Sequence, residues 1–166
     1  MSIQQIVDIV SSFDGALVFA PDESSGAPEI AWGDFFFYYA PDGQVPTTVQ
    51  PYATIVTKNY PGDPQSLLDS DGRWRLNIHV GSAAFEQLNG QNVQDFTTLD
   101  SAEPDVVVPH PVYGRLGWVA VVNPDERTTA TVVRLLGDAH RTAKAREDRR
   151  LGRVGDFIPP GPGLAG

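Results

Sequence analysis

The most regular pattern in the chain is an alternation of apolar and polar positions near its middle, in residues 72–81. The apolar positions are Trp74, Leu76, Ile78 and Val80, and the polar positions are Arg73, Arg75, Asn77 and His79. Because successive side chains of a strand point to opposite faces, this alternation predicts one strand with an apolar face toward a core. Its other face carries guanidinium, amide and imidazole groups, which is more recognition chemistry than a solvated face needs.

Four further segments have the composition of strands. They are residues 16–19, 35–39, 52–58 and 117–122. The segment 35–39 is aromatic at every position, so we expect it to be covered on both faces of the sheet. The segment 52–58 is rich in β-branched residues, which favour strands. Within the long loop 89–111, residues 106–108 are expected to form only a short extended piece.

Helical spacing of apolar residues predicts three helices. They are residues 2–13 with Ser2 as N-cap, the brief segment 82–88, and the longest helix at 128–148. Because turns rather than helical crossovers join the strands, the pattern predicts an α+β domain with a mainly antiparallel sheet of about five strands. The N- and C-terminal helices are expected on one face. The domain spans residues 1–150, and a Gly/Pro-rich tail follows at 151–166.

The charge is distributed unevenly along this acidic chain of net charge −9. Residues 1–126 carry a net charge of −13, and residues 127–166 carry +4. An acidic body disfavours nucleic acid as the main partner, since phosphate neutralisation needs a basic surface. The basic segment 141–150 could contact nucleic acid or an acidic partner, solvate a helix end, or fold against the acidic body.

Composition excludes several other classes of protein. The chain has no cysteine, which removes disulfides, thiolate metal sites and cysteine nucleophiles. It has no apolar run of about twenty residues, so no membrane-spanning helix is expected. The first residues show no basic leader before an apolar run, and a cytoplasmic location is expected.

Three residues are candidates for acid–base chemistry. His79 lies on the polar face of the alternating strand, and His110 lies in a rigid Pro-His-Pro turn. Either imidazole could be a catalytic group or a hydrogen-bonded structural one. Glu29, with Asp34 nearby in sequence, could supply a carboxylate to the histidines. No HxH or HExxH spacing occurs, and no metal or cofactor is predicted.

Six further residues are candidates for binding a small aromatic or anionic ligand on the face away from the helices. They are Trp32, Tyr52, Lys58, Arg75, Asn77 and Tyr113. An arginine fork suits a carboxylate or phosphate, and amphipathic aromatic rings commonly line small-molecule pockets. The alternative is that the cations pair with the chain's own acidic residues and that the aromatic rings are core.

Several residue strings resemble a functionally uncharacterised bacterial family of domains of unknown function, over residues 2–146. The strings are PEIAWGD at 28–34, PYATIVTK at 51–58, RWRLNIHVG at 73–81, PHPVY at 109–113 and GWV at 117–119. More distantly, the PHP and GW segments resemble the small luciferase-type domains. The helix–sheet–helix order is similar to MmcQ/YjbR-like α+β domains, a resemblance that implies a fold. Nucleic-acid binding has been suggested for that group, and the acidic body here departs from it.

Three functions therefore stay open. The first is binding of a small aromatic or anionic molecule in a pocket on the second face of the sheet. The second is a small enzyme in which His79 and His110, assisted by Glu29, perform proton transfer or hydrolysis. The third is a protein–protein interaction module, in which that face meets another chain and the domain forms a homodimer.

Overall fold

The computed structural model describes residues 1–97 and 100–155, with side chains described as far as residue 152. Its helices are α1 (Ile3–Ser11), α2 (Gly81–Asn89) and α3 (Thr129–Gly155). Its strands are β1 (Ala16–Phe19), β2 (Phe35–Tyr39), β3 (Ala53–Val56), β4 (Arg75–His79), β5 (Val108–Pro109) and β6 (Trp118–Val122). The predicted α+β class is confirmed.

The six strands form one sheet in the order β1-β2-β3-β4-β6-β5, and every neighbouring pair is antiparallel. The antiparallel arrangement is confirmed, whereas the count of about five strands is wrong. The additional strand, β5, pairs Val108 with Ala120 and Pro109 with Val119. Two residues are too few to show an alternating pattern, which is why the sequence indicated only a short extended piece there.

The start of α1 follows ordinary capping chemistry, and the end of α3 lies further along the chain than predicted. At the start of α1, the Ser2 hydroxyl accepts from the Gln5 amide at 3.1 Å, and the Gln5 side chain accepts from the Ser2 amide at 2.7 Å. At the other end of the chain, α3 continues to Gly155, so the predicted end at residue 148 was too early. Residues 156–166 of the predicted tail lie outside the described residues.

The main core lies between the sheet and helices α1 and α3, as the apolar side of the alternating strand predicted. Leu76 and Ile78 of β4 are fully buried there in one apolar cluster with Ile6 and Val10 of α1. The longest helix contributes Val132, Leu135, Leu136 and Ala139 to the same cluster. Burial of this apolar surface is the main force that holds both helices to one face.

The second face of the sheet is covered by the chain's own loop 57–74. Leu68 of this loop packs with Val56 and Val122 in a smaller apolar cluster. Asp63 and Ser66 of the same loop bind the side chain of Arg75. The polar side of β4 is therefore sheltered by a loop of the same chain.

Candidate ligand-binding cleft

The two candidate histidines lie on either side of Trp118. His79 of β4 pairs with Trp118 of β6, and the His110 amide donates to the Trp118 carbonyl at 3.0 Å. The two side chains have separate partners. His79 contacts the Leu116 carbonyl, whereas His110 contacts Arg75 and the backbone of the following turn. The two rings therefore belong to different environments.

His79 is a half-buried, neutral hydrogen-bond donor at one nitrogen. Its Nε2 lies 3.0 Å from the carbonyl oxygen of Leu116. Because a carbonyl oxygen only accepts, Nε2 carries the ring proton and Nδ1 carries the lone pair. Burial lowers the pKa of His79, the Leu116 hydrogen bond raises it, and the Arg146 charge lowers it again, with a net lowering. The ring is therefore neutral at neutral pH.

A cleft of about 80 Å³ lies where the end of β4, the start of α2 and the middle of α3 meet. It is lined by His79, Val80, Gly81, Ala84, Leu135, Asp138, Ala139, Thr142 and Arg146. The lining residues of α3 fall at successive helical spacings, which places them on one stripe of the helix. A drug-sized molecule needs a pocket of roughly 300–1,000 Å³, so this cleft accommodates one chemical group of a ligand.

Arg146 is an unpaired cation in the lining of this cleft, as far as the described residues show. Toward the C-terminal end of α3, Lys144 pairs with Asp14 at 3.3 Å, and Arg150 pairs with Glu147 at 2.6 Å. Asp138, the carboxylate that lines the cleft, is paired with Arg141. Within the described part of the chain, Arg146 makes no ion pair or side-chain hydrogen bond. The cleft therefore contains one free positive charge beside the neutral ring of His79.

The start of α2 adds a weak positive potential to the cleft. Val80 occupies the N-cap position, and no side chain caps the helix. Uncapped amides at a helix start carry partial positive charge. The position of this helix start is fixed by Gly117, whose carbonyl accepts from the amides of Val80 at 2.9 Å and Gly81 at 3.2 Å. The turn that holds Leu116 against His79 is thus fastened to α2.

His110 is held in a buried network and faces hydrogen-bond donors on both sides. Its Nδ1 lies 3.0 Å from the amides of Val112 and Tyr113, and its Nε2 lies 3.1 Å from Nη2 of Arg75. Burial and the Arg75 charge lower the pKa of His110 to about 3, against a raising effect of Asp63. A base of that pKa binds protons weakly at pH 7, so this imidazole is poorly suited to acid–base catalysis.

Arg75 directs four of its five N–H groups to acceptors within the protein, and the fifth faces His110. Nε donates to Asn77 at 2.7 Å, and Nη1 donates to Asp63 at 3.0 Å and to Ser66 at 2.9 Å. Nη2 donates to Asp63 at 2.5 Å and faces His110. Asn77 in turn donates to Thr54 at 3.0 Å. Arg75 and Asn77 are only 2% and 3% exposed, so their polar groups are occupied beneath the loop.

Trp32 and Lys58 meet at a buried carboxylate near the start of β2. Lys58 Nζ donates to the Trp32 carbonyl and to Asp34, both at 2.9 Å. Asp34 is fully buried and also accepts from Thr57 and from the Tyr60 hydroxyl, whose pKa is raised by burial and by this carboxylate. These bonds fasten the loop 57–74 to the sheet.

The other predicted site residues lie apart from the cleft lining. Glu29 is exposed on a short 3₁₀ helix, and within the described residues it makes no hydrogen bond to either candidate histidine. Tyr113 is 51% exposed, with its ring centroid 5.0 Å from that of His110. The Tyr52 hydroxyl lies 2.9 Å from Nδ1 of His140, whose Nε2 donates to the Asp14 carbonyl at 2.7 Å.

Of the predicted site residues, His79 alone lines the cleft. The sequence patterns did not identify the other lining residues as site residues. Arg146 was assigned only to a basic segment, and Thr142 and Asp138 were not considered. Their spacing from Leu135 along the helix is a signal in the sequence. The crossing of that stripe over the end of β4 depends on non-local packing, which the sequence pattern does not reveal.

The residues that the structure describes contain no group of three or more His, Asp or Glu side chains placed to hold a metal ion. None of the helices in that part of the chain combines the length and apolar character that crossing a bilayer requires.

The fold and the cleft define a small α+β domain with one sheet and a cleft of mixed polar and apolar lining beside its C-terminal helix. Residues 1–152 match the model of a family of unknown function, DUF6194. The chain belongs to this family. No curated protein and no solved structure is detectably similar to the chain.

Proposed function

We propose that this domain binds a small molecule through a negatively charged group seated in the cleft between β4, α2 and α3. The observation that carries the proposal is the unpaired guanidinium of Arg146 beside His79 in a cleft of about 80 Å³. The uncapped start of α2 contributes in the same direction, since helix starts favour anions. Thr142 adds a hydroxyl that can donate or accept.

The charges that line the cleft support binding of an anion, although the chain as a whole has a net charge of −9. The charged lining residues are Arg146 and Asp138, and Asp138 is already paired with Arg141. An incoming anion therefore meets the unpaired cation of Arg146, while the carboxylate of Asp138 is held by Arg141. Arginine is well suited to this contact because its planar fork matches carboxylate and phosphate oxygens.

Thermal unfolding with inorganic phosphate tests this proposal. At ten times the dissociation constant, a bound anion stabilises the folded state by about 1.4 kcal/mol. A group this small binds with a dissociation constant on the order of 1 mM, or about −4 kcal/mol. Phosphate also stabilises proteins by exclusion from their surface, and that effect is common to all variants.

The decisive comparison is between two variants that lose the same charge. Arg146→Gln removes the cation of the cleft, whereas Arg134→Gln removes an exposed cation about 18 Å away along the same helix. We expect the phosphate-dependent stabilisation to shrink in Arg146→Gln and to persist in Arg134→Gln, at constant ionic strength. Equal stabilisation of both variants would exclude the cleft as the binding site.

Other expectations from the sequence stay predictions. These are catalysis by His79, His110 and Glu29, an interaction module that forms a homodimer, bacterial origin and a cytoplasmic location. The relationship to MmcQ/YjbR-like and luciferase-type small domains is also a prediction, and the choice of ligand does not depend on it.

A further inference from the structure

We infer that the cleft selects an anionic group that also carries a hydrogen-bond donor, such as a protonated phosphate or phosphomonoester, over an oxyanion without a proton. The inference rests on the proposed function, and it specifies the chemical class of the ligand. One ring nitrogen of His79, Nε2, is bonded within the protein, and the other, Nδ1, is left for a ligand.

The first step is the fixed tautomer of His79. Nε2 is committed to the Leu116 carbonyl at 3.0 Å, and a carbonyl requires an N–H donor. The Leu116 carbonyl is itself held in place, because Gly117 follows it and binds the start of α2. The proton of the neutral ring therefore stays on Nε2, and Nδ1 carries a lone pair.

The second step is that Nδ1 has no partner of its own. Within the described residues, no donor makes a hydrogen bond to this nitrogen, while the ring is half-buried and His79 lines the cleft. A ligand that supplies an O–H or N–H to Nδ1 satisfies a partly desolvated acceptor. A ligand that presents only oxygen lone pairs places them against the lone pair of Nδ1.

The charged groups around the His79 ring come from one helix, α3. Arg146 and Asp138 of α3 are the charged side chains in the cleft lining, and the α2 residues there are uncharged. On the other side, His79 contacts the Trp118 ring and the Leu116 backbone, which are also uncharged. Arg146 therefore holds the anionic oxygens, while neutral His79 accepts a proton donor from the same group.

A comparison of phosphate with sulfate tests the need for a hydrogen-bond donor separately from the need for negative charge. The two oxyanions are alike in shape and size, so their O–H groups are the difference that the comparison measures. Inorganic phosphate keeps at least one O–H between pH 6 and 8, whereas sulfate has none. Dissociation constants are measured at pH 7.5 and constant ionic strength from the amide chemical shifts of Gly81 and Ala84. We expect phosphate to bind at least about fivefold more tightly than sulfate, a difference of about 1 kcal/mol.

The matched variant is His79→Gln. A glutamine amide can still donate to the Leu116 carbonyl, but its acceptor oxygen is not held at the position of Nδ1 as the rigid ring holds that nitrogen. We expect phosphate affinity to fall to that of sulfate, with sulfate affinity changed less than about twofold. The preference of the wild-type protein tests the inference even if this variant does not fold.

The outcomes distinguish the inference from the proposed function. If phosphate and sulfate bind equally and both depend on Arg146, the domain binds anions but the selection by His79 is wrong. If neither anion shifts the cleft amides in a manner that depends on Arg146, the proposed function itself is wrong. A phosphate preference that survives His79→Gln would also contradict the inference.

Discussion

Nε2 of His110 lies 3.1 Å from Nη2 of Arg75, so a buried imidazole and a buried guanidinium meet directly beneath the loop 57–74. A neutral imidazole keeps a lone pair on one of its two nitrogens, whereas an imidazolium would direct N–H groups both at the Arg75 cation and at the two amides beside Nδ1. His110 is therefore a neutral structural group whose protonation opposes folding.

The first prediction is a pH dependence of stability that His110 causes. Its pKa is about 3 in the folded protein and about 6.5 when unfolded, so the unfolded state binds more protons between these values. Stability contributed by His110 is therefore complete above pH 6.5 and is lost as the pH falls toward 3, by about 1.4 kcal/mol per pH unit.

The measurement is the free energy of unfolding by urea between pH 4.5 and 7.5. His110→Asn can still accept from the amides of Val112 and Tyr113 but does not titrate. We expect its stability to fall less steeply with acid than that of the wild-type protein. Parallel curves for the two proteins would contradict the buried, neutral state of His110.

The second prediction concerns the ion pair of Arg75 with Asp63, whose side chains are 3% and 11% exposed. Asp63→Asn leaves the guanidinium buried without its counter-charge, which typically costs about 3–5 kcal/mol. The matched control is Glu147→Gln, which breaks the more exposed pair with Arg150 and is expected to cost less than about 1 kcal/mol. Chemical denaturation of both variants decides whether the loop is held by this pair.

The third prediction concerns the hydroxyl of Tyr52, which donates to Nδ1 of His140 at 2.9 Å. Tyr52→Phe leaves that buried nitrogen without a donor, and we expect a loss of about 1–3 kcal/mol. Tyr38→Phe is the control, because the Tyr38 hydroxyl makes no hydrogen bond within the described residues. Similar unfolding free energies for the two variants would show that the Tyr52 bond adds little.

The fourth prediction concerns the contact of Gly117 with α2. Gly117 has φ +83°, and a Cβ there would lie 3.0 Å from the backbone of Gly81. Gly43 has φ +73° with open space around it, so Gly43→Ala introduces the backbone strain alone, on the order of 1–2 kcal/mol. We expect Gly117→Ala to cost more than this and to weaken phosphate binding, because it displaces the Leu116 carbonyl from His79.

The sequence predicted what short-range periodicity can encode. The alternation in β4 correctly separated Leu76 and Ile78, which lie in the core, from Arg75 and Asn77, which lie on the opposite face. The N-cap at Ser2 was also readable, because a capping box is a local pattern. These features depend on residues a few positions apart.

The parts that the sequence missed depend on contacts between distant segments. The carboxylate that binds Arg75 comes from the loop residue Asp63, and the cation near His79 comes from Arg146, 67 positions further along the chain. The third histidine, His140, was read as part of a helix, although its ring joins Tyr52 to Asp14. Periodicity alone does not specify which distant partners meet.

The most direct test of the cleft is a long-range ¹H–¹⁵N spectrum of the three histidine rings during a phosphate titration at pH 7.5. We expect His79 to show the Nε2–H tautomer, and its Nδ1 resonance to shift saturably with phosphate while His110 and His140 stay unchanged. Arg146→Gln is expected to reduce this shift at equal phosphate concentration, and Arg134→Gln to preserve it. Phosphate binding that leaves the His79 nitrogens unshifted would contradict the account.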